Sequence, residues 1–124
     1  MKQPTVEILD KLWAKCVKER AGYKSEWSGK TENLNAHHID GKGNYRMRWE
    51  LDNGVCITNG EHFYRAHKAS TAAKFRRWAM NLRGITEADI RLWKRALGGT
   101  DKFAVKIYLE QQLKKFKELN FSDK

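Results

Sequence analysis

Over the first twenty residues, apolar positions recur at three- and four-residue spacing. Val6, Leu9, Trp13, Cys16 and Val17, with Arg20 continuing the stripe, share one face, while Glu7, Asp10, Lys11, Lys15 and Lys18 lie elsewhere. This pattern predicts an amphipathic helix from Pro4 to about Arg20, with Pro4 in its first turn and Gly22 just past its end. From Tyr23 to Lys68 the helical period disappears. Gly29, Gly41, Gly43, Gly54 and Gly60 interrupt the segment, and two short extended runs, Leu34–Ile39 and Gly54–Thr58, flank a loop rich in Gly, Asn and Arg. Thr58 and Glu61 have the spacing of a capping box, which predicts a short helix carrying His62 in its first turn. The resulting order is strand, loop, strand, helix.

Helical spacing returns after Ser70, which is placed to cap a helix burying Phe75, Trp78, Ala79 and Leu82. Ile85-Thr86 followed by Asp89-Ile90 reads as an N-cap with a hydrophobic staple between the two isoleucines, on a helix expected to end at Gly98-Gly99. A last helix, from about Asp101 to Leu119, uses Val105, Tyr108, Leu109, Leu113 and Phe116. At 124 residues, without a repeat or a separating linker, the chain reads as a single α+β domain. Trp78 and Trp93 fall at apolar helical positions and read as core residues.

Charge narrows the partners. With 25 Lys+Arg against 15 Asp+Glu, the formal net charge is +10 and the pI is near 9.8. Such a balance favours an anionic polymer, because each neutralised phosphate releases condensed counterions. Cys16 and Cys56 both lie in apolar surroundings and read as core thiols, not as a disulfide. The N-terminus carries acidic residues without an apolar signal core, and no window reaches the roughly 18–20 apolar residues of a membrane span. The expectation is a cytoplasmic protein without a membrane partner.

All four histidines fall within the 31 residues from His37 to His67, and the frame His38-x14-Asn53-x8-His62 lies inside that stretch. Histidine is a general base near neutral pH and a common ligand of borderline metals. Hydrolysis of a phosphodiester needs a base for water and positive charge for the phosphate and leaving oxygen. Adjacent strand residues point to opposite faces, so His37 and His38 suit different tasks, with the exit into Ile39-Asp40-Gly41 allowing the division. Lys42, Arg46 and Arg48, interleaved with Tyr45 and Trp49, stand in the loop between the histidine pair and Asn53. Arg65, Lys68, Lys74, Arg76 and Arg77 continue the basic character onward.

The segment from about residue 12 to 68 resembles the HNH nuclease motif with its ββα-metal fold. The likeness rests on His37-His38, Asn53 and His62, on Arg20-Ala-Gly-Tyr-Lys, the Gly29-Lys30-Thr31 knuckle, Leu34-x-Ala-His-His-Ile and Trp49-x-Leu-Asp-Asn-Gly-Val. It implies a central ββα-metal motif at about 20–68, flanked by an N-terminal helix and a helical C-terminal extension at about 70–119. It implies a DNA endonuclease in which His38 activates water, His37 and His62 hold one divalent metal, and Asn53 ties the loop that keeps the base in place. Mg²⁺, Mn²⁺, Ni²⁺, Co²⁺ and Zn²⁺ all suit two imidazoles. Lys42, Arg46, Arg48 and Arg65 are the expected DNA contacts. A small, monomeric, phage-type enzyme is the implied relative, with a phage DNA-processing complex as a further partner.

Two departures stand out. Relatives with a structural zinc carry two CxxC pairs; here the corresponding positions are Ser25, Ser28, Thr58 and Glu61. Hydroxyls are poor zinc ligands, so no structural zinc is expected. His67 follows His62 by five residues where relatives use four, a helical rotation of about 140° against about 40°, which favours a surface or phosphate-contacting role. The alternative from another class is a catalytically silent DNA-binding module, or an accessory subunit of a phage DNA-processing complex, motivated by those lost cysteines. Asn53-Gly54 also reads as an ordinary turn pair, and Asp40 as an ordinary loop residue or a partner for an imidazole.

Overall fold

The computed structural model describes residues 2–62, 68–96 and 98–122, with Ser122 described by its backbone alone. Helix α1 spans Val6–Arg20 and is capped by Thr5, whose hydroxyl accepts from the Ile8 amide at 3.1 Å. Pro4 therefore lies just outside the helix, buried, and not in its first turn. Gly22 follows with φ +67°, the left-handed turn that releases the chain from the helix.

Strands β1 (Leu34–His38) and β2 (Gly54–Thr58) form a two-stranded antiparallel sheet in which His37 faces Val55 and His38 faces Gly54. The fold is thus mixed α+β. Every residue of β2 is buried, which explains why its run Gly-Val-Cys-Ile-Thr shows no polar alternation. Val55 and Ile57 enter a cluster with Ile39, Met47, Phe75, Ala79, Met80, Ile85, Ile90 and Trp93. Cys56, from the opposite face, joins Leu9, Trp13, Cys16, Val17, Trp49, Leu51 and Leu109. The hairpin is the partition between two cores.

The connection between the strands is more ordered than its composition suggests. It contains a helix of one turn, α2 (Tyr45–Arg48), and a 3-10 turn at Leu51–Asn53. Asn44 caps α2 by accepting from the Met47 amide at 2.9 Å, and its own amide donates to the Trp93 carbonyl at 3.0 Å. After β2, the capping box forms as its sequence predicts: the Thr58 hydroxyl accepts from the Glu61 amide, and Glu61 accepts from the Thr58 amide. It opens α3 (Asn59–Glu61), and His62 follows directly as its C-cap.

Helix α4 (Ala72–Arg83) buries Phe75, Ala79 and Met80. Its N-cap position is Thr71, not Ser70, with no side-chain capping bond, and Leu82 is exposed instead of buried. Helix α5 (Glu87–Lys94) has the Thr86–Asp89 capping box, with Ile85 and Ile90 in one cluster as a staple requires. It stops at Lys94, earlier than the glycine pair would suggest, with Arg95 as its C-cap. Trp93 is buried and Trp78 packs partly buried against the same cluster. Helix α6 (Lys102–Ser122) lies along α1, burying Leu109 with Val105, Leu113 and Phe116 beside it, while Tyr108 is exposed. Cys16 and Cys56 are buried free thiols, pushed up to about 11 chiefly by burial. No described helix is long and apolar enough to cross a membrane.

Candidate active site

His38 ends β1 on the face turned to α1. Its ring stacks flat on Trp13, with centroids 4.0 Å apart and planes inclined by 6°. Gly54, opposite it across the ladder, makes that approach feasible: a Cβ there would stand 2.6 Å from Cζ2 of Trp13 and 2.8 Å from Cγ2 of Val17. The His38 Nε2 lies 2.8 Å from the Arg48 carbonyl oxygen. A carbonyl only accepts, so in the neutral ring Nε2 carries the hydrogen and Nδ1 keeps a lone pair. Burial lowers the His38 pKa below its ordinary value of 6.5, although the bond to the Arg48 carbonyl opposes this, and the Lys42 charge adds to the lowering. The ring is therefore neutral at physiological pH.

Asn53 is fully buried and spends its whole side chain on the loop that leads to Arg48. Its amide nitrogen donates to the Gly41 carbonyl at 2.9 Å and the Met47 carbonyl at 3.1 Å, and its oxygen accepts from the Asp40 amide at 3.1 Å. The Ile39 amide donates to the Asn53 carbonyl at 2.9 Å. One side chain thus closes the loop at its start and at α2. Arg48 is fixed a second time through its guanidinium, which donates to both carboxylate oxygens of Asp10 at 2.8 and 2.6 Å. The Trp49 indole adds a third bond to Asp10, at 2.9 Å. The Arg48 bond and charge, with Trp49, hold the Asp10 carboxyl below the usual range despite its partial burial.

His37 points to the other face of the sheet. Its ring meets that of His62 edge-on, with centroids 4.5 Å apart, and Phe75 lies beside it at 5.6 Å. The hairpin and α3 thus bring together residues 25 positions apart in sequence. Imidazole nitrogens ligate a zinc-like ion at about 2.0–2.1 Å, so these two neighbouring rings are the side chains here that could hold one. Among the described residues, no group of three or more His, Cys, Asp or Glu side chains gathers to hold a metal. His67 and Arg65 lie outside the described residues.

The expected DNA contacts differ in their surroundings. Lys42 is exposed in the loop after β1. Arg46 bonds Glu50 at 2.6 Å and lies 5.7 Å over the Trp93 ring, while Arg48 is committed to Asp10. Arg76 is not part of a free basic surface: it bridges Asp40 at 2.8 Å and Glu87 at 2.9 Å, and Lys94 approaches Asp40 at 2.9 Å. Asp40 is accordingly an ion-pair centre joining the loop to α4 and α5. Trp13 and Asp10 were not legible as site residues. The one signal available was their spacing of three on α1, which puts an aromatic and a carboxylate on adjoining turns.

Ser25, Thr58 and Glu61, three of the four positions singled out in the sequence as departures, do converge. The Ser25 hydroxyl donates to Glu61 Oε1 at 2.5 Å and accepts from the Trp27 and Ser28 amides. Burial would raise the Glu61 pKa, but hydrogen bonds from Ser25, Ser28 and Thr58 outweigh it and hold the carboxyl below the usual range. Ser25 is tied back to the Lys30 carbonyl at 2.8 Å across a turn with Gly29 at φ +80°. Beside this cluster, Arg20 donates to the carbonyls of Leu51 at 2.9 Å and Gly54 at 2.8 Å, and Arg83 pairs with Glu26. Burial lowers the Arg20 pKa to about 10, with the Arg83 charge contributing.

No family model, curated protein or solved structure matches the chain.

Proposed function

We propose that this protein is a metal-dependent DNA endonuclease of the HNH type. The observation that carries the reading is the His38 ring, held by the Arg48 carbonyl through Nε2 so that Nδ1 is left as a proton acceptor. A neutral imidazole oriented through its far nitrogen is what a general base for water requires. Asn53 supports the same role, since it holds the loop that carries Arg48. Trp13 fixes the ring plane and removes water from one side of it.

His37 and His62 are the residues that would hold a divalent ion. Such an ion would supply positive charge to a scissile phosphate oxygen and to the leaving 3′ oxygen. Lys42, exposed beside the base, attracts the phosphate backbone, and the net charge of +10 favours DNA as the polymer. The water proton passes to His38 Nδ1 as the new P–O bond displaces the 3′ oxygen, which takes a proton from solvent while His38 releases its own. Cleavage would leave a phosphate on one product and a hydroxyl on the other.

Supercoiled plasmid incubated with the protein across Mg²⁺, Mn²⁺, Co²⁺, Ni²⁺ and Zn²⁺ tests this reading directly. Nicked and linear DNA should form with wild type, and His38→Ala should reduce the rate by about 100-fold or more, as general-base loss typically does. Because the base acts in its neutral form and its pKa is lowered, activity should decline with falling pH at a lower pH than an ordinary imidazole would set. Retained DNA binding without cleavage under any metal would make the protein a binding module instead.

A further inference from the structure

A groove of about 680 Å³ opens between α2, the Gly98-Gly99 connection and α6. Tyr45, Trp49 and Tyr108 supply its aromatic wall, and the backbone of Gly98 and Gly99 faces them. Tyr45 and Trp49 are stacked, with centroids 4.7 Å apart and planes inclined by 18°. Trp49 beneath is 4% exposed and anchored on Asp10, so the pair is a rigid platform. Tyr45 above it is 41% exposed, and Tyr108 across the groove 47%. Two exposed tyrosines around a concavity are a poor ending for a core and a good one for a planar ligand.

The charges around the platform narrow the ligand further. Lys102 Nζ lies 5.4 Å from the centroid of the Tyr45 ring, and the Arg46 guanidinium stands on the same short helix. Glu50 also lines the groove, but its carboxylate is occupied by Arg46 at 2.6 Å. A flat aromatic surface with the Lys102 ammonium beside it is complementary to a nucleobase with its phosphate. Lys102 can move from the Tyr45 face to a phosphate when a base takes its place.

We propose that this groove binds an unpaired nucleotide of a DNA strand, its base stacked on Tyr45. The inference rests on the nuclease reading and deepens it, since α2 carries both Tyr45 and the Arg48 carbonyl that holds His38. An occupied groove thus braces the element that orients the base. The substrate class it selects is single-stranded or locally unpaired DNA, because a base within a duplex has both faces stacked and cannot enter.

Binding of fluorescein-labelled (dT)12 and of a blunt duplex of equal length, without added metal, separates this inference from catalysis. Leaving out metal and using His38→Ala as the background keeps cleavage negligible during the titration, so the outcome stands whether or not the plasmid is cut. Tyr45→Ala should weaken (dT)12 binding about tenfold, within the range for loss of one stacked base. Tyr45→Phe should retain it, and the duplex affinity should be the same in all three proteins. Equal loss on both DNAs, equal loss in Tyr45→Phe, or no loss in Tyr45→Ala each overturns the proposal. Displacement of (dT)12 by free dTMP at matching concentrations overturns the assignment to a strand.

Discussion

His38 shows how much of a side chain's chemistry is set by neighbours that do not react. Its far nitrogen is fixed by a carbonyl, its face by Trp13, and its pKa is lowered by burial. Gly54 is part of that arrangement although it has no side chain. Its φ of −132° is open to any residue, so its requirement is for space alone. Gly54→Ala would force a methyl against Trp13 and Val17 at 2.6 and 2.8 Å. Overpacking of this kind costs about 1–3 kcal/mol, so the urea midpoint should fall and nicking should weaken as Trp13 shifts under His38. An unchanged midpoint would show that α1 yields freely, and the stacking would then have no orienting value. Of the residue-scale features, His38 and Asn53 were singled out in the sequence by the resemblance, which implied their roles. Trp13, 25 positions before His38, could not, since its spacing reports only an apolar helical face.

Among the elements, the segment around Ser25 and α3 is held by a polar cluster, at positions that the proposed HNH resemblance aligns with zinc cysteines. Thr58 and Glu61 were legible as a capping box because both partners lie within four residues. Ser25 was not legible as the third member, because its bond to Glu61 spans 36 positions. The convergence allows a direct test of the resemblance. A variant with Ser25→Cys, Ser28→Cys, Thr58→Cys and Glu61→Cys should bind one zinc per chain, and its thermal midpoint should rise on zinc addition. Zinc titration followed by calorimetry reads both. Failure to bind would mean that the four positions do not offer tetrahedral geometry, and the correspondence with zinc-bearing relatives would be lost. The loop between the strands gives the opposite lesson: its Gly, Asn and Arg content predicts irregular chain, yet α2 forms there. Asn44 caps it while bonding Trp93, so a tertiary contact selects a helix that composition alone does not favour.

Across the whole molecule, α6 acts on the candidate site through α1. Leu109 is fully buried, its carbonyl accepts from the Cys16 thiol at 3.2 Å, and Asn120 donates to the Glu19 carbonyl at 2.6 Å. The C-terminal helix therefore braces the helix that carries both Asp10 and Trp13. Leu109→Ala should cost about 2–5 kcal/mol, the usual range for emptying a leucine site, read as a lower urea midpoint. The fraction still folded should retain DNA affinity, since Leu109 faces α1 and no proposed DNA contact. Affinity lost in parallel with no change in stability would place α6 at the DNA surface instead of behind the site. The net charge acts at this scale too, as attraction toward a polyanion that weakens with salt.

What the sequence determined by itself was local. Helical and extended segments, the Thr58 capping box, the Thr86 N-cap with its staple, β2 to its exact ends and the buried thiols all follow from neighbours a few residues apart, where spacing and caps act directly. What the tertiary structure decided depends on pairs that no spacing relates. Arg48 and Arg76 carry charges that composition counts as DNA contacts, yet Asp10, Asp40 and Glu87 claim them across 38, 36 and 11 positions. Leu82 and Tyr108 lie at apolar helical positions but face solvent, because the breadth of a buried stripe is set by the partner packed on it. The groove at Tyr45 is set in the same way, because α2, the Gly98-Gly99 connection and α6 line it from separate parts of the chain.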